Sequence, residues 1–582
     1  MLLVYNQRSY GPRSVYLSAG RIHQLVEVFV DAVISGAQAL AFGAIESSVM
    51  IVTGYPGSPA TAVANAIIEH TRPSQVQVEW TGNEKVAIEI AFGASLAGKR
   101  AMLCVKSVGL NIALDPLMTM NLSGCRAGFV ILVGDDPGGW GSQNEQDSRA
   151  LADLIEIPWF EPATVADARS AMIQAFSLSE EIGLPVIVRI TRALALEKPQ
   201  PNSPDAGRGP RNDSLTATTV GPFVREPMRW IVLPINVVEF HQRLIQRLDH
   251  VRACFEVSSL NAVEGNGSRG LIAAGFTYQK LVNALSGVLP RDISVLRLGT
   301  FYPLPSRLIG SFLGQVNSAL VVEESLPLVE RAVRGIAHSA GLTLPILGRE
   351  SGHIPRVGEL FTADLASALS RFLPGLTLTS EGAQSRPRPS REPLCEGCPY
   401  VPTFDALQYA MDQLGGRDRF IVVGDPGCMV RGQLPPYELM DVKHGLGSSI
   451  GMAAGLVAGV GATLGPSGKR VIALSGDSSF LHSGLNGLVD AARMNARMLV
   501  IILDNGTTAL SGGQPHPASP MDARGRARDP VDLASLAKAA GAESVHVVDL
   551  DRAEDIRTPV LEALQAETLA VIIARGRCVR QD

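Results

Sequence analysis

Short apolar runs alternate with helix-like segments along most of the chain, and each run ends in glycine or a polar residue. In the first third these runs stand in "SVMIVTGYPGSPA", "VQVEW", "AMLCVKS", "GFVILVGDDPG" and "PVIVRIT". Runs of four to eight apolar residues closed by turn formers are typical of strands buried on both faces. The pattern therefore predicts a mostly parallel α/β sheet over residues 36–200.

Two further α/β segments are predicted downstream. One contains "GLIAAGFTYQKLVNAL", "ISVLRLGTFYPLP" and "SALVVEES" near 270–326, and the other covers 395–578. Tracts rich in proline, glycine, serine and asparagine near 195–219 and 380–393 are typical of linkers or surface loops. The expected division is an N-terminal extension (1–35), a first domain (36–200), a connecting region (201–265), a second domain (266–380) and a third domain (394–582).

In the third domain a polar residue follows each of two predicted strands. Asp477 ends the strand in "VIALSGDSS", Asn505 ends the strand in "MLVIILDN", and the segment between them has helical apolar spacing. A strand, helix and strand in this order form a right-handed crossover with parallel strands, so both residues are expected at one carboxyl edge. A carboxylate and an amide oxygen there suit Mg²⁺ carrying a diphosphate. The alternative is that both are simply turn-forming residues.

Composition and charge exclude several classes of function. The 582 residues predict three or four domains, and 46% apolar with 18% charged residues is ordinary for large buried cores. A net charge of −5 gives no electrostatic footprint for nucleic acid or an anionic membrane. Glu27 and Asp31 interrupt the most apolar early segment, which argues against a membrane span. With no signal-peptide pattern at the start, a cytoplasmic enzyme is expected.

The cysteines form a second candidate site. Cys395 and Cys398 make a Cys-x-x-Cys pair, Cys428 lies in "GDPGC" and Cys578 in "ARGRC". Four thiolates suit either a structural zinc ion or an iron–sulfur cluster, and the last two cysteines could instead be buried packing residues. Seven cysteines in a chain of this size argue against a secreted disulfide scaffold. The other three lie in or near apolar runs and are expected to be packing residues: Cys104, Cys125 and Cys254.

Several long motifs, taken in order, carry a specific resemblance. They are "GYPGSPAT", "NEKVAIEIAFGASLAGKRAMLCVKSVGLNIALDPL", "GDDPGGWGSQNEQDSR", "LRLGTFYPLP", "CEGCPY", "GDPGC" and "LDNGTTALSGGQPHP". The segment that contains Asp477 and Asn505 resembles the thiamine diphosphate signature. From about residue 36 almost to its end, the chain resembles the large-subunit family of indolepyruvate:ferredoxin oxidoreductase, in the 2-oxoacid:ferredoxin oxidoreductase superfamily.

The resemblance implies a multi-domain α/β fold. Two doubly wound parallel-sheet domains are expected, a pyrimidine-binding domain at 36–200 and a diphosphate-binding domain at 394–582. A transketolase C-terminal-like α/β domain is expected between them, at 266–380. The implied cofactors are thiamine diphosphate, Mg²⁺ and one 4Fe–4S cluster.

The resemblance also implies particular residues for these groups. Asp477 and Asn505 bind Mg²⁺ together with a main-chain carbonyl near Thr507, and the four cysteines that form the second candidate site hold the cluster. Leu446 holds the cofactor bent, although a plain core leucine is the alternative. The remaining cofactor-binding positions are in two glycine-containing turns: Gly445, Gly447, Gly476, Ser478 and Ser479.

Glu84 is the implied partner of the aminopyrimidine ring. In "VEWTGNEKVAIEIAF" a strand ends at Trp80 and a helix begins near Asn83, with Glu84 in its first turn. A carboxylate bonded to that ring favours the imino tautomer, which removes the thiamine C2 proton. The alternative is a glutamate stabilised by the helix dipole alone. Glu89, five residues on, is expected to face elsewhere.

Residues for the substrate follow from the same likeness. Ser58 and Thr61 are expected to bind the 2-oxoacid carboxylate at a turn that opens a helix, with Lys106 and Asn111 bordering the pocket. His482 and His516 are candidate proton relays, although a structural role is the alternative for each. Typical relatives carry histidine where Tyr400 and Ser107 stand, and these departures put the substrate in doubt.

The expected activity is oxidative decarboxylation of a 2-oxoacid, most plausibly an aryl one such as indolepyruvate, with electrons passing to the cluster and coenzyme A accepting the acyl group. Relatives end in a ferredoxin-like module that does not follow Cys578, so a separate ferredoxin-like protein or other acceptor is expected. A smaller partner subunit and two copies of this chain per assembly are also expected. The alternatives are a non-oxidative decarboxylase or carboligase, and a non-catalytic scaffold.

Overall fold

The computed structural model describes residues 34–198, 209, 220–221, 223–374, 392–460, 469–552 and 554–581. Within these residues the chain forms three sheets flanked by helices, each sheet mostly or wholly parallel. The multi-domain α/β fold expected from the sequence is therefore confirmed. The N-terminal extension at 1–35 lies almost wholly outside the described residues, as do most of the loop-like tracts near 195–219 and 380–393.

The strands are short and mostly buried. In chain order they are β1 (Ile51–Gly54), β2 (Gln77–Trp80), β3 (Ala101–Lys106), β4 (Phe129–Asp135), β5 (Trp159–Phe160), β6 (Val186–Thr191), β7 (Ala262–Gly265), β8 (Arg269–Ala274), β9 (Ile293–Leu298), β10 (Thr300–Tyr302), β11 (Ser318–Val322), β12 (Ile346–Leu347), β13 (Phe420–Gly424), β14 (Val442–Lys443), β15 (Arg470–Gly476), β16 (Leu499–Asp504), β17 (Ser544–Asp549) and β18 (Ala570–Arg575). The strands predicted from the apolar runs of the first domain are confirmed as β1, β2, β3, β4 and β6.

The helices alternate with these strands. In chain order they are α1 (Gly36–Glu46), α2 (Ala60–His70), α3 (Glu84–Leu96), α4 (Ser107–Ser123), α5 (Ala152–Ile155), α6 (Val165–Ile182), α7 (Arg192–Leu196), α8 (Pro227–Trp230), α9 (Val237–Glu256), α10 (Thr277–Ala284), α11 (Ser306–Leu313), α12 (Leu328–Ser339), α13 (Thr362–Phe372), α14 (Val401–Gln413), α15 (Ser449–Val460), α16 (Asp477–Ser479), α17 (Leu485–Arg493), α18 (Leu533–Ala539) and α19 (Arg557–Gln565). A π-helical turn, Phe480–Gly484, joins α16 to α17. In the part of the chain that is described, no helix is long and apolar enough to cross a bilayer.

The first sheet has the strand order β10-β5-β6-β4-β3-β1-β2 and is parallel except for β10, which pairs antiparallel with β5. Apolar residues cover both of its faces, as the uninterrupted apolar runs require. Helices α1, α2 and α6 pack on one face and α3 and α4 on the other. Because β10 belongs to the second segment of the chain, the first two domains share a sheet edge as well as a core.

The second sheet has the order β12-β11-β8-β9-β7, with β7 antiparallel to β9. Strand β7 and the twenty-residue helix α9 both lie in the stretch expected to be a connecting region. Helix α9 packs Leu244, Leu248 and Val251 into the core of the first domain. Where it is described, this connecting region therefore packs on the first domain through α9 and joins the second sheet through β7.

The third sheet is parallel throughout, in the order β14-β13-β15-β16-β18-β17. Strands β15 and β16 are direct neighbours, and their register ends with Gly476 opposite Leu503. Asp477 and Asn505 follow these two strands and lie at the same carboxyl edge. The predicted strand–helix–strand crossover is confirmed.

Candidate functional site

Glu84 is held rigidly at the start of helix α3. The side chain of Asn83 caps this helix by accepting a hydrogen bond from the Val86 backbone N–H at 2.9 Å. Glu84 itself is only 5% exposed. Gly109 of α4 lies against it, because a Cβ at that position would come within 2.6 Å of Glu84 Oε1. The predicted strand and helix are confirmed, and a neighbouring glycine makes room for the carboxylate.

The first and third domains meet at Glu84. Its Oε2 lies 2.8 Å from His482 Nε2, and the Asn83 side chain donates to the His482 carbonyl at 3.0 Å. Tyr55 packs edge-on against the His482 ring at 5.1 Å, and its hydroxyl lies 2.6 Å from Ser478 Oγ. Burial raises the pKa of Tyr55 far above its usual value, and the charges of nearby carboxylates add to this rise, so the phenol is protonated.

Asp477 is surrounded by donors at the carboxyl edge of the third sheet. Its Oδ2 accepts the backbone N–H groups of Asn505 at 3.1 Å and Gly506 at 2.8 Å, and its Oδ1 accepts that of Ser478 at 2.7 Å. Asn505 Oδ1 accepts the Thr507 N–H at 3.1 Å. A carboxylate and an amide oxygen on two buried residues at one sheet edge are the types of ligand that suit a hard divalent cation such as Mg²⁺.

His516 is the imidazole at this edge. Its Nε2 lies 3.1 Å from Asp477 Oδ2, and the residue is 4% exposed. Burial lowers the pKa of His516, but the charges of Asp477 and Asp504 outweigh burial and leave that pKa above its usual value. Asp504 is itself paired with Arg575 Nε at 2.8 Å. The structure thus brings His516 to the predicted cation ligand and His482 to Glu84.

The glycine-rich turn before α15 is tightly packed. Gly447 has φ +73°, and a Cβ there would lie 2.2 Å from Ser483 Oγ, so the turn requires glycine. The Ser483 hydroxyl donates to the carbonyl of the half-buried Leu446 at 3.0 Å. Gly445, by contrast, is exposed, with open space where its Cβ would be. This turn therefore lies against the helix that follows Asp477.

Asp425 is a buried carboxylate between the start of α15 and the end of β15. It accepts the Ser449 N–H at 2.8 Å and the Ser475 hydroxyl at 2.7 Å. Burial raises the pKa of Asp425 to about 6, against the opposing effect of these hydrogen bonds. One backbone donor at the N-terminus of α15 is thus already bound by the protein's own carboxylate.

Two of the predicted substrate residues come together in the first domain. Thr61 Oγ1 accepts the Gly57 N–H at 2.6 Å. Lys106 lies over the same glycine, since a Cβ on Gly57 would come within 2.6 Å of its Cδ. Burial lowers the pKa of Lys106, although Asp136 and Glu84 oppose the shift. Thr61 and Lys106 therefore both lie beside Gly57, and the charge of Glu84 is near enough to affect the pKa of the lysine.

The other residues singled out in the sequence are either exposed or buried in packing contacts. Ser58 is exposed, and the exposed amide of Asn111 pairs with that of Gln146 at 2.8 Å. Ser479 is buried, and its hydroxyl donates to the Pro426 carbonyl at 3.5 Å. Ser107 is buried as the first residue of α4. Glu89 is exposed and paired with Lys85, as expected of a residue that faces elsewhere.

The four cysteines Cys395, Cys398, Cys428 and Cys578 line one pocket of about 470 Å³, together with Tyr400 and Asn505. Among the described residues, no three of these sulfurs lie within 4.8 Å of one another. Four cysteines that line one pocket suit either a zinc ion or an iron–sulfur cluster, the two alternatives that the sequence left open.

Charge around these sulfurs is uneven. Burial raises the pKa of Cys428 to about 11, against the lowering effect of Arg431, and neighbouring thiols raise it further. Cys395 receives a hydrogen bond from Arg580 Nε at 3.1 Å and a longer one from Arg431 at 3.7 Å. A bound cation would hold all four groups as thiolates.

Tyr400 joins the cysteine pocket to the carboxyl edge of the sheet. Its hydroxyl accepts a hydrogen bond from Asn505 Nδ2 at 2.8 Å. Burial raises the pKa of Tyr400 well above its usual value, and Asp477 with neighbouring thiols adds to the rise. The sequence connected this residue with the substrate, whereas its contacts in the structure are with a predicted cation ligand and with the cysteines.

Sequence reasoning missed three residues of this site: Tyr55, Gly109 and Asp425. Asp425 follows the apolar run "FIVVG" in the same manner as Asp477 follows its own strand, so the strand-end signal was present. Tyr55 and Gly109 have no such signal, because their roles depend on side chains from other elements. Their contacts with Ser478 and Glu84 exist only in the folded chain.

Comparison with known protein families gives two matches, one over the first domain and one over the third. Residues 42–203 match the family described as pyruvate flavodoxin/ferredoxin oxidoreductase, thiamine diphosphate-binding. Residues 425–574 match the family described as thiamine pyrophosphate enzyme, C-terminal TPP binding domain. Glu84 falls within the first match, and Asp477, Asn505 and Thr507 fall within the second.

Longer relatives cover almost the whole chain. Indolepyruvate oxidoreductase subunit IorA of Methanothermobacter thermautotrophicus is 34% identical over 94% of this chain and 86% of its own length. The protein of the same name from Pyrococcus abyssi is 34% identical over 93% of this chain and 85% of its own. A solved structure of 2-oxoglutarate:ferredoxin oxidoreductase from Magnetococcus marinus covers 54% of this chain and 61% of its own, with 17% identity and a TM-score of 0.41.

Proposed function

The chain belongs to the family of indolepyruvate oxidoreductase IorA subunits, catalytic subunits of thiamine diphosphate-dependent 2-oxoacid oxidoreductases, and on this basis we propose that it oxidatively decarboxylates an aryl 2-oxoacid such as indolepyruvate. The observation that carries the proposal is the 2.8 Å contact between Glu84 Oε2 and His482 Nε2. It joins the first-domain glutamate to the helical segment that begins at Asp477, so both ends of a cofactor cleft meet in one chain.

The residues fit thiamine diphosphate and Mg²⁺. Asp477, Asn505 and the carbonyl of Thr507 would hold the cation, and Gly447 with Leu446 would line the cofactor beside them. Bound there, thiamine diphosphate supplies an electron sink for the bond that breaks when CO₂ leaves. The proposal is supported by two buried side chains with oxygen atoms, Asp477 and Asn505, which follow neighbouring strands at one sheet edge.

The chain's own groups then manage protons and substrate orientation. Glu84 carries or releases a proton at Oε1, and His482 Nε2 holds Oε2 in place. In this proposal Lys106 and Thr61 receive the substrate carboxylate. The methylene chain of Lys106 lies against Gly57, whose N–H donates to Thr61 Oγ1, and the lysine ammonium donates to the Gly141 carbonyl at 3.2 Å. Tyr55 and the His482 ring close this side of the cleft against water.

Electrons leave through the cysteine pocket in this proposal. Conversion of the 2-oxoacid and coenzyme A into CO₂ and an acyl thioester releases two electrons and one proton. A 4Fe–4S cluster on Cys395, Cys398, Cys428 and Cys578 would take these electrons singly. A separate low-potential carrier such as a ferredoxin would receive them, and a smaller subunit would complete an assembly with two copies of this chain.

The test is an anaerobic assay of the protein purified with its partner subunit. We expect aryl 2-oxoacids to reduce a one-electron viologen dye in a coenzyme A-dependent reaction, with about four irons and four sulfides per chain. Cys395→Ser should lose the iron and dye reduction, whereas Cys254→Ser, outside the pocket, should lose neither. Aldehyde release without iron or dye reduction would favour the decarboxylase alternative instead.

Cofactor retention gives a second readout of the same proposal. Asp477→Ala should abolish retention of thiamine diphosphate, because the cation loses its carboxylate ligand. Asp490→Ala, at an exposed position on α17, is the matched control and should bind the cofactor as the wild type does. Equal retention in both variants would contradict the assignment of the cation site.

A further inference from the structure

Tyr400 is a buried residue that touches both the cation edge and the cysteine pocket. It comes two residues after Cys398, immediately before α14, and is only 4% exposed. Its hydroxyl lies 2.8 Å from Asn505 Nδ2, and the residue lines the pocket of the four cysteines. One side chain therefore contacts both groups of candidate ligands.

The hydroxyl helps to decide which end of the Asn505 amide faces which neighbour. The Thr507 backbone N–H donates to Oδ1 at 3.1 Å, a contact that only the oxygen end can accept. On the other side, Nδ2 donates to the Tyr400 oxygen. An amide oxygen has two lone pairs, so Oδ1 can accept from Thr507 and still bind a cation. The two hydrogen bonds together specify the orientation that cation binding needs.

The backbone of Tyr400 is fixed on the opposite side. The Tyr400 backbone N–H donates a hydrogen bond to the Cys398 sulfur. The Tyr400 carbonyl also accepts a hydrogen bond from the Phe404 N–H at 3.0 Å, in the first turn of α14. The hydroxyl is therefore presented to Asn505 from an anchored position.

Resting on the proposed function, we propose that Tyr400 is a positioning residue whose hydroxyl turns the Asn505 amide oxygen toward the divalent cation and so sets how tightly the cation and thiamine diphosphate are retained. Without the hydroxyl, a buried Nδ2 loses its acceptor and the amide can rotate. Groups that orient metal ligands typically change metal affinity about 10- to 100-fold when they are removed.

The test variant is Tyr400→Phe in the full chain, purified anaerobically with its partner subunit and stripped of thiamine diphosphate and Mg²⁺. Mg²⁺ is titrated at saturating thiamine diphosphate, and binding is followed by protein fluorescence. We expect half-saturation to require about 10-fold more Mg²⁺ than in the wild type. At saturating Mg²⁺, kcat should return to within about twofold of the wild-type value, because the loss is in binding rather than in chemistry. Iron content should be unchanged.

Tyr437→Phe is the matched control. The Tyr437 hydroxyl donates to Asp405 Oδ1 at 2.8 Å in the same domain, so this variant loses a comparable hydrogen bond away from Asn505. It should bind Mg²⁺ as the wild type does. A second comparison uses Asn505→Asp, whose two oxygens are equivalent; in that background the added Tyr400→Phe change should weaken Mg²⁺ binding less than it does alone.

Wild-type Mg²⁺ binding in Tyr400→Phe would overturn the inference. So would a loss of iron and of thermal stability that excess Mg²⁺ fails to restore, since that is the mark of a purely structural residue. Failure of the proposed function is a different result, because the wild-type chain itself would then bind no thiamine diphosphate in the presence of Mg²⁺.

Discussion

Carboxylates are buried at both boundaries of the first domain, but their partners differ. At the boundary with the second domain, Arg149, which is 1% exposed, holds Asp147 at 2.8 Å. At the boundary with the third domain, Glu84 is held by the imidazole of His482. Asp477, across the same cleft, accepts backbone N–H groups. At the first boundary the partner of the buried carboxylate is a permanent cation, whereas at the second the partners are backbone amides and an imidazole.

The arginine boundary is a network of paired charges. Arg149 Nη2 lies 3.3 Å from Glu323 Oε2 and donates to the Glu324 carbonyl. Lys280 pairs with Glu324 at 2.8 Å and with Glu359 at 3.0 Å. A buried carboxylate with a guanidinium or ammonium partner has its charge compensated within the protein. The carboxylates of this boundary therefore have cationic partners within the protein.

The cleft with the third domain is different because its partners are neutral or titratable. Backbone amides and hydroxyls lower the cost of burying a carboxylate but leave its negative charge in place. A divalent cation at Asp477 would compensate that charge. The lesson of the comparison is that the partner of a buried carboxylate, rather than the carboxylate itself, separates a structural boundary from a ligand site.

The largest expected effect that sharpens this contrast is on catalysis. Glu84→Gln keeps a hydrogen bond to His482 but removes the group that handles the proton. We expect a loss of about 10²- to 10⁴-fold in 2-oxoacid-dependent dye reduction, with thiamine diphosphate still bound. The measurements are kcat of the anaerobic assay and cofactor content after gel filtration.

Glu89→Gln is the control for that variant, on the same helix. Glu89 is exposed and paired only with Lys85 among the residues described, so its activity should match the wild type. Activity of Glu84→Gln equal to that of Glu89→Gln would remove Glu84 from the proposed chemistry.

The second effect is on stability, at the arginine boundary. Arg149→Met leaves the buried charges of Asp147 and Glu323 without their main cation. Breaking a buried pair in this manner costs about 3–5 kcal/mol of unfolding free energy. The control is Arg497→Ala, which breaks a half-exposed pair with Glu567 and should cost less than about 1 kcal/mol. Urea unfolding measures both, and similar losses would contradict the network.

The smallest effect is a pH dependence at the same boundary. Burial raises the pKa of Glu323 to about 7, although Arg149 and two backbone N–H groups oppose the rise. A carboxyl whose folded pKa is raised binds its proton more tightly when folded, so its contribution to stability grows as pH falls through that pKa. Relative to Glu323→Gln, the free energy of unfolding of the wild type should therefore increase by about 2 kcal/mol as the pH falls from 8 to 5.5.

Glu350 provides the comparison for this pH experiment. Glu350 is exposed, and Arg331 lowers the pKa of its carboxyl, so its contribution runs in the opposite direction. Compared with Glu350→Gln, the wild type should show no increase in its free energy of unfolding when the pH is lowered. A Glu323 difference that is flat with pH would contradict the raised pKa of this carboxyl.

Much of the fold follows from local pattern. The short apolar runs predicted the strands of the first domain, because a strand covered on both faces is apolar at every position and the flanking turn residues limit its length. The crossover rule then placed Asp477 and Asn505 at one edge, and the helix predicted to begin near Asn83 placed Glu84 in its first turn. These predictions needed only neighbours along the chain.

The tertiary structure decided what depends on distant residues. The antiparallel pairing of β10 with β5, the contact of Glu84 with His482 and the contact of Tyr400 with Asn505 join residues between 105 and 398 positions apart. The arginine network is of the same kind, since Asp147 and Glu323 come from different domains. Periodicity reports which face of an element is buried, but a partner is chosen by how whole elements pack, and that information is not local in the sequence.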